Sequence, residues 1–116
     1  MYNYNQLPPE KCEFFEIAAT DALPPGERLF VEIGDRSIVI FNIAGKLFAI
    51  GDICSHDEGP LGDADLDDYE IVCPRHGARF DIRTGEVTRL PAGTDIPAYP
   101  VRVLNNMIEV GIPKDD

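Results

Sequence analysis

With 116 residues, the chain has room for one compact domain burying roughly two thirds of its unfolded surface, and not for a second of ordinary size. Apolar residues at 44% and charged residues at 27% exclude a disordered chain. Against 10 Lys and Arg stand 21 Asp and Glu, and the formal charge of −11 argues against nucleic acid or an anionic membrane surface as a partner.

In chain order, the opening Met1-Tyr2-Asn3-Tyr4-Asn5-Gln6-Leu7-Pro8-Pro9 has neither a basic n-region nor an apolar h-region. No later apolar run approaches the ~18 residues that a membrane span needs, so a cytoplasmic location is expected. Short runs rich in β-branched and aromatic residues predict strands at 14–17, 28–33, 37–43, 46–50, 69–73, 78–82, 101–104 and 107–110. Turn residues separate them: Gly34-Asp35, Ala44-Gly45, Arg83-Thr84-Gly85-Glu86 and Asn105-Asn106, the last three at hairpin-like spacing. No segment sustains a 3.6-residue apolar period, and at most a short helical turn is expected at 18–22. The pattern predicts an antiparallel all-β chain, a single domain over 1–116 without internal repeats. Two stretches interrupt it, 52–68 and 90–100, the latter carrying Pro91, Pro97 and Pro100. Loops of this length in a small β domain are usually functional.

The three Cys, at 12, 54 and 73, are odd in number and too few for a disulfide framework. Both His, at 56 and 76, lie within three residues of one of the later Cys. Cys54-Ser55-His56 is followed, after sixteen residues, by Cys73-Pro74-Arg75-His76-Gly77. Thiolate and imidazole together suit zinc, copper, or iron bound with sulfide. The common zinc finger puts both Cys on one short spacing and both His on the other. Here each loop supplies one of each.

This mixed pattern resembles the Rieske ferredoxin family, as do Pro24-Pro25-Gly26-Glu27-Arg28, the hairpin 41–50 and Phe80-Asp81-Ile82-Arg83-Thr84-Gly85. The resemblance implies one [2Fe-2S] cluster, with Cys54 and Cys73 on one iron and His56 and His76 on the other. It also implies an antiparallel β-sandwich or barrel of three small sheets with a cluster-binding subdomain. Loops at about 52–68 and 73–80 would clasp the cluster, and a proline-containing loop at about 90–100 would cover it. Two ferric ions, two sulfides and two thiolates sum to zero charge, so reduction is easier than for an all-Cys cluster and one electron brings the total to −1. Respiratory and photosynthetic Rieske proteins add a Cys to each ligand loop and direct Ser and Tyr hydroxyls at the cluster. Here the loops carry no extra Cys, and Gly77-Ala78-Arg79-Phe80 offers methyl and phenyl groups. The expected potential therefore lies near the low end of the ~−150 to +300 mV Rieske range.

By the same resemblance the chain carries one electron from a flavin-dependent reductase to a terminal non-haem iron oxygenase, as a monomer with no catalytic residue of its own. An oxygenase site would need two further His, and no glycine-rich fingerprint supports a nicotinamide or flavin site. Competing readings are a zinc-stabilised binding module, an accessory subunit like that of nitrite reductase, and service to iron–sulfur assembly or another oxidoreductase. Cys12, with no His near it, reads as a bystander thiol. Between Lys46 and Arg75 lie eight acids (Asp52, Asp57, Glu58, Asp63, Asp65, Asp67, Asp68 and Glu70) and no Lys or Arg. They form a solvated loop or a field that steers a basic partner. The stretch from Asp63 is no calcium loop, since Asp68 and Pro74 stand where Gly and Glu are required. Pro60, Leu61 and Pro74 either form an apolar docking rim or stiffen the loops.

Overall fold

Four consecutive apolar side chains, Ile38, Val39, Ile40 and Phe41, are each no more than 1% exposed. A strand turns successive side chains to opposite faces, so a run like this satisfies itself only when both faces of its sheet are covered. The computed structural model describes residues 3–55, 59–75, 77–90 and 93–114. In it the strands are β1 (Cys12–Ala19), β2 (Arg28–Ile33), β3 (Arg36–Ile43), β4 (Lys46–Gly51), β5 (Leu66–Asp67), β6 (Glu70–Val72), β7 (Arg79–Asp81), β8 (Val87–Arg89), β9 (Ala98–Tyr99), β10 (Val101–Leu104) and β11 (Met107–Pro113). Among the described residues they form three antiparallel sheets, ordered β1-β11-β10, β2-β3-β4-β9 and β5-β6-β7-β8.

The run in β3 lies in the middle sheet and serves both cores. Ile38 and Ile40 pack with Leu23, Tyr99, Ile108 and Val110 against the β1-β11-β10 sheet. Val39 and Phe41 face the other way, toward Leu61, Ile71, Phe80 and the thiols of Cys54 and Cys73. Each such side chain contributes about 1.5–3 kcal/mol on burial. The expected all-β architecture of three small sheets is the one observed.

The hairpins follow from their turn residues. Ala44 and Gly45 (φ 55° and 92°) and Asn105 and Asn106 (φ 53° and 64°) adopt the paired left-handed conformations of a two-residue type I′ turn. Gly34, at φ 63°, opens a third two-residue connection in which Ile33 pairs with Arg36. The expected helical turn is a 3₁₀ turn at Thr20–Ala22; Ala18 and Ala19 instead continue β1 past a bulge opposite β11. The strands β5, β8 and β9 had no counterpart in the sequence reading. At two or three residues each they are too short to show a period, and only the partner strand defines them.

Among the described glycines, Gly85 leaves the least room for a side chain. Its φ is +81°, its carbonyl accepts from Ile96 N at 2.8 Å, and a Cβ there would stand 2.0 Å from the Ile96 carbonyl oxygen. Gly85→Ala therefore combines left-handed strain of about 1–3 kcal/mol with a backbone collision that no rotamer relieves. The expected outcome is a clear fall in the thermal unfolding midpoint; a midpoint equal to that of the wild type would contradict this packing.

Candidate metal centre

Strand β4 ends at Gly51, and the first loop is fixed at once by Asp52. Its backbone N donates to Ser37 O at 2.9 Å, while its carboxylate Oδ1 accepts from Leu61 N at 2.9 Å and Gly62 N at 2.5 Å. One carboxylate thus draws the far side of the loop back to the sheet. Arg28 holds the same corner: its Nη1 donates to Gly62 O and Ala64 O, each at 2.7 Å, and its guanidinium lies 4.9 Å from the centre of the Phe41 ring. Within this frame Cys54 N donates to Gly59 O at 2.8 Å, closing the turn that carries the first thiol.

The second loop leaves β6 and returns through β7. Cys73 N donates to Ala78 O at 2.8 Å and Gly77 N to Cys73 O at 2.9 Å, with Gly77 at φ +77° turning the chain back. The segment 90–100 is tied to both sheets and to the first loop. Ser55 Oγ donates to Thr94 O, Gly51 N to Pro97 O at 2.9 Å, and Val87 N to Asp95 Oδ1 at 3.0 Å. Beneath it, Arg83 N and Nε donate to Asp81 Oδ1 at 2.9 and 3.0 Å, and the guanidinium stands 4.3 Å from the Tyr69 ring centre. Burial pushes the Asp81 carboxyl up, but the Arg83 bonds outweigh it and hold the group below its ordinary range.

Of the four predicted ligands, Cys54 and Cys73 are brought into one buried cluster, at 0% and 1% exposure. His56 and His76 lie outside the described residues, as do Asp57, Glu58 and Pro91. Ala78 and Phe80, both 0% exposed, belong to the cluster that holds the two thiols, so the methyl and phenyl surroundings expected from the sequence are present. Two thiols brought from separate loops, each closed by its own backbone hydrogen bond, into one buried apolar cluster fit an iron–sulfur group, whose thiolate ligands such a shell would keep from solvent. Cys12 is set apart from them, buried at the base of β1 opposite Pro113, where burial pushes its thiol up against the pull of Lys114.

Two sequence readings need correction. Leu61 is 0% exposed and part of the core, so it stiffens the loop from within and takes no part in a docking rim; Pro60 and Pro74 are exposed. The acidic run is not uniformly solvated. Asp52 is committed to the loop, and Asp67, itself exposed, and Glu70 accept from Arg79 Nη1 at 2.9 and 3.1 Å, whereas Asp63, Asp65 and Asp68 are exposed. The sequence reading passed over Asp52 and Arg28 as site-building residues. An Asp directly after a strand is a turn signal for the first; nothing local marks the second.

The model of the Rieske [2Fe-2S] domain matches residues 13–100. The chain belongs to the Rieske [2Fe-2S] domain family. Its relatives within that family include the ferredoxin component of the p-cumate 2,3-dioxygenase system of Pseudomonas putida, 39% identical over 98 residues that cover 83% of each chain. The ferredoxin subunit of 3-phenylpropionate/cinnamic acid dioxygenase from Shigella boydii is 36% identical, over 79% of this chain and 87% of its own. Among solved structures, the ferredoxin of carbazole 1,9a-dioxygenase from Nocardioides aromaticivorans is 33% identical, with a TM-score of 0.78, over 87% of this chain and 98% of that one. This Rieske protein is accordingly a ferredoxin, an electron carrier rather than a catalyst, and its cofactor is one [2Fe-2S] cluster. Among the described residues no helix is long and apolar enough to cross a membrane.

Asp52→Ala should leave the amides of Leu61 and Gly62, both in buried residues, without their acceptor, at a cost of about 1–3 kcal/mol. Asp52→Asn keeps an acceptor oxygen and should recover most of it. Denaturant unfolding of the two variants reads the difference, and equal stability of Ala and wild type would contradict the assigned role.

Proposed function

We propose that this ferredoxin serves a ring-hydroxylating dioxygenase system, taking single electrons from a flavin-dependent reductase and passing them to a terminal non-haem iron oxygenase. Cys54 and Cys73 hold one iron of the cluster and His56 and His76 the other. The observation that carries the assignment is the delivery of both thiols, from two loops each closed by its own backbone hydrogen bond, into one buried cluster, with a His two or three residues beyond each in the sequence. The names of the relatives support the pathway. The unit is the single domain 1–116, monomeric and cytoplasmic, with loops 52–68 and 73–80 as the ligand loops and 90–100 as the cover.

When bound, the cluster supplies a centre that accepts and releases one electron. The chain's own residues set the conditions for that exchange. Ala78 and Phe80 exclude water from the thiols and donate no hydrogen bond from their side chains, which keeps the potential low. Ser55 Oγ and the Gly85–Ile96 contact hold the cover in register over the first loop. Pro60 and Ile53, which line one surface hollow, and Pro74 are exposed apolar residues of the two loops, and Asp63 and Asp65 are exposed acids of the first. A contact of this kind suits a shuttle that must leave each partner quickly.

Protein isolated without oxygen should be brown and, after dithionite, show a rhombic electron paramagnetic resonance signal of low average g, with a midpoint near the low end of the ~−150 to +300 mV range. Cys73→Ser should lose that signal. A variant of any proposed ligand that keeps the full wild-type signal would overturn the ligand set, and zinc in place of iron would favour a binding module.

Raising the ionic strength should slow electron delivery to the oxygenase, because added salt screens the acidic surface from a basic partner. Rates indifferent to salt would remove electrostatic steering from the account.

A further inference from the structure

Arg75 belongs to the second ligand loop, but its guanidinium sits on the first. A Cβ on Gly59 would lie 2.9 Å from the Arg75 Cζ and Nη2 atoms and 3.2 Å from Nε, so the guanidinium fills the space where any other residue at 59 would place its side chain. Gly59 is also the residue whose carbonyl closes the first loop by accepting from Cys54 N at 2.8 Å. The side chain therefore reaches from the turn of one thiol to the closure of the other. A covalent tie between these loops is unavailable: each carries a single Cys, proposed for iron, and Cys12 is in β1.

Charge adds a second observation. From Lys46 to Arg75 the chain has eight acids and no intervening Lys or Arg; Arg79 pairs with Asp67 and Glu70 and Arg28 reaches Gly62 O and Ala64 O, which leaves acids in excess, so reduction adds a negative charge beside an already anionic first loop. A cation laid across the two loops favours the reduced form by Coulomb attraction.

We propose that Arg75 is a positioning residue with a counter-charge function: it braces the two ligand loops through its seat on Gly59 and raises the reduction potential. This rests on the ligand assignment above. A purely structural strut would affect cluster retention and leave the potential unmoved.

Three variants of the full chain separate the parts: Arg75→Gln removes the charge, Arg75→Lys keeps charge without the planar group, and Gly59→Ala keeps Arg75 but evicts it from its seat. In Arg75→Gln the cluster absorbance should decay about tenfold faster on exposure to chelator, as expected for loss of a residue supporting the ligands, and the voltammetric midpoint should move to lower potential. Gly59→Ala should match that faster decay, whereas Arg75→Lys should restore much of the potential and little of the retention. Freshly loaded, all three should keep the wild-type resonance spectrum, since no ligand is altered. Wild-type retention and midpoint in both Arg75→Gln and Gly59→Ala would overturn the proposal. So would loss of the spectrum in an Arg75→Gln protein whose circular dichroism shows it folded. Failure of the ligand assignment is read separately, on Cys73→Ser.

Discussion

Val39 and Phe41 point to one side of β3 and Ile38 and Ile40 to the other, and the placement of the metal centre depends on this double burial. A sheet covered on one face only would leave its opposite apolar residues in water and would need some other partner. Because β1-β11-β10 covers one face, the other is free to receive the sheet β5-β6-β7-β8, whose β6–β7 connection carries Cys73. The thiols then become part of the packing that joins the sheets, since Cys54 and Cys73 lie in the same cluster as Val39, Phe41, Ile50 and Phe80. The proposed metal centre is thus built on the second core.

On this base, the loops are shaped chiefly by main-chain groups. Leu61, Gly62, Cys54, Gly59, Cys73, Gly77, Ala78, Ile96 and Pro97 all contribute backbone donors or acceptors that fix the tip. Backbone polar groups must find partners wherever they are buried, so a loop that satisfies them internally acquires one conformation with little help from regular structure. The side chains that assist, Asp52, Arg28 and Ser55, each aim at backbone groups of a neighbouring segment.

Much of this was legible in the residues. The alternation and turn chemistry of 28–50 yield the β2-β3-β4 meander because each strand is long enough to show its period and each turn carries residues suited to left-handed backbone. The two Cys-His segments stand out because Cys and His are rare in this chain and adjacent in sequence, and the fold brings Cys54 and Cys73 into one buried cluster. Other features had no local signal. Strands β5, β8 and β9 exist through their pairings, Arg28 acts on a loop more than thirty residues away, and Gly85 matters because Ile96 arrives above it. For Leu61 the residues left a docking rim and a loop stiffener equally open, and only the tertiary fold, which turns it inward, decides for the second. Long-range contact is the common element in these cases, and no window along the sequence contains it.

The hairpin at Ala44-Gly45 shows where the chain has tolerated strain away from the metal centre. Ala44 takes φ 55°, a conformation that a residue with a Cβ adopts at a cost of about 1–2 kcal/mol, while the equivalent positions of the β10–β11 turn use Asn, which adopts it more readily. Asn42 secures the Ala44 turn: its Oδ1 accepts from Gly45 N at 2.8 Å and its Nδ2 donates to Leu23 O at 2.8 Å. The fold thus retains unused thermodynamic headroom at this turn, and a natural or engineered Asn or Gly at 44 would harden the scaffold at a hairpin well separated in sequence from both Cys-His segments.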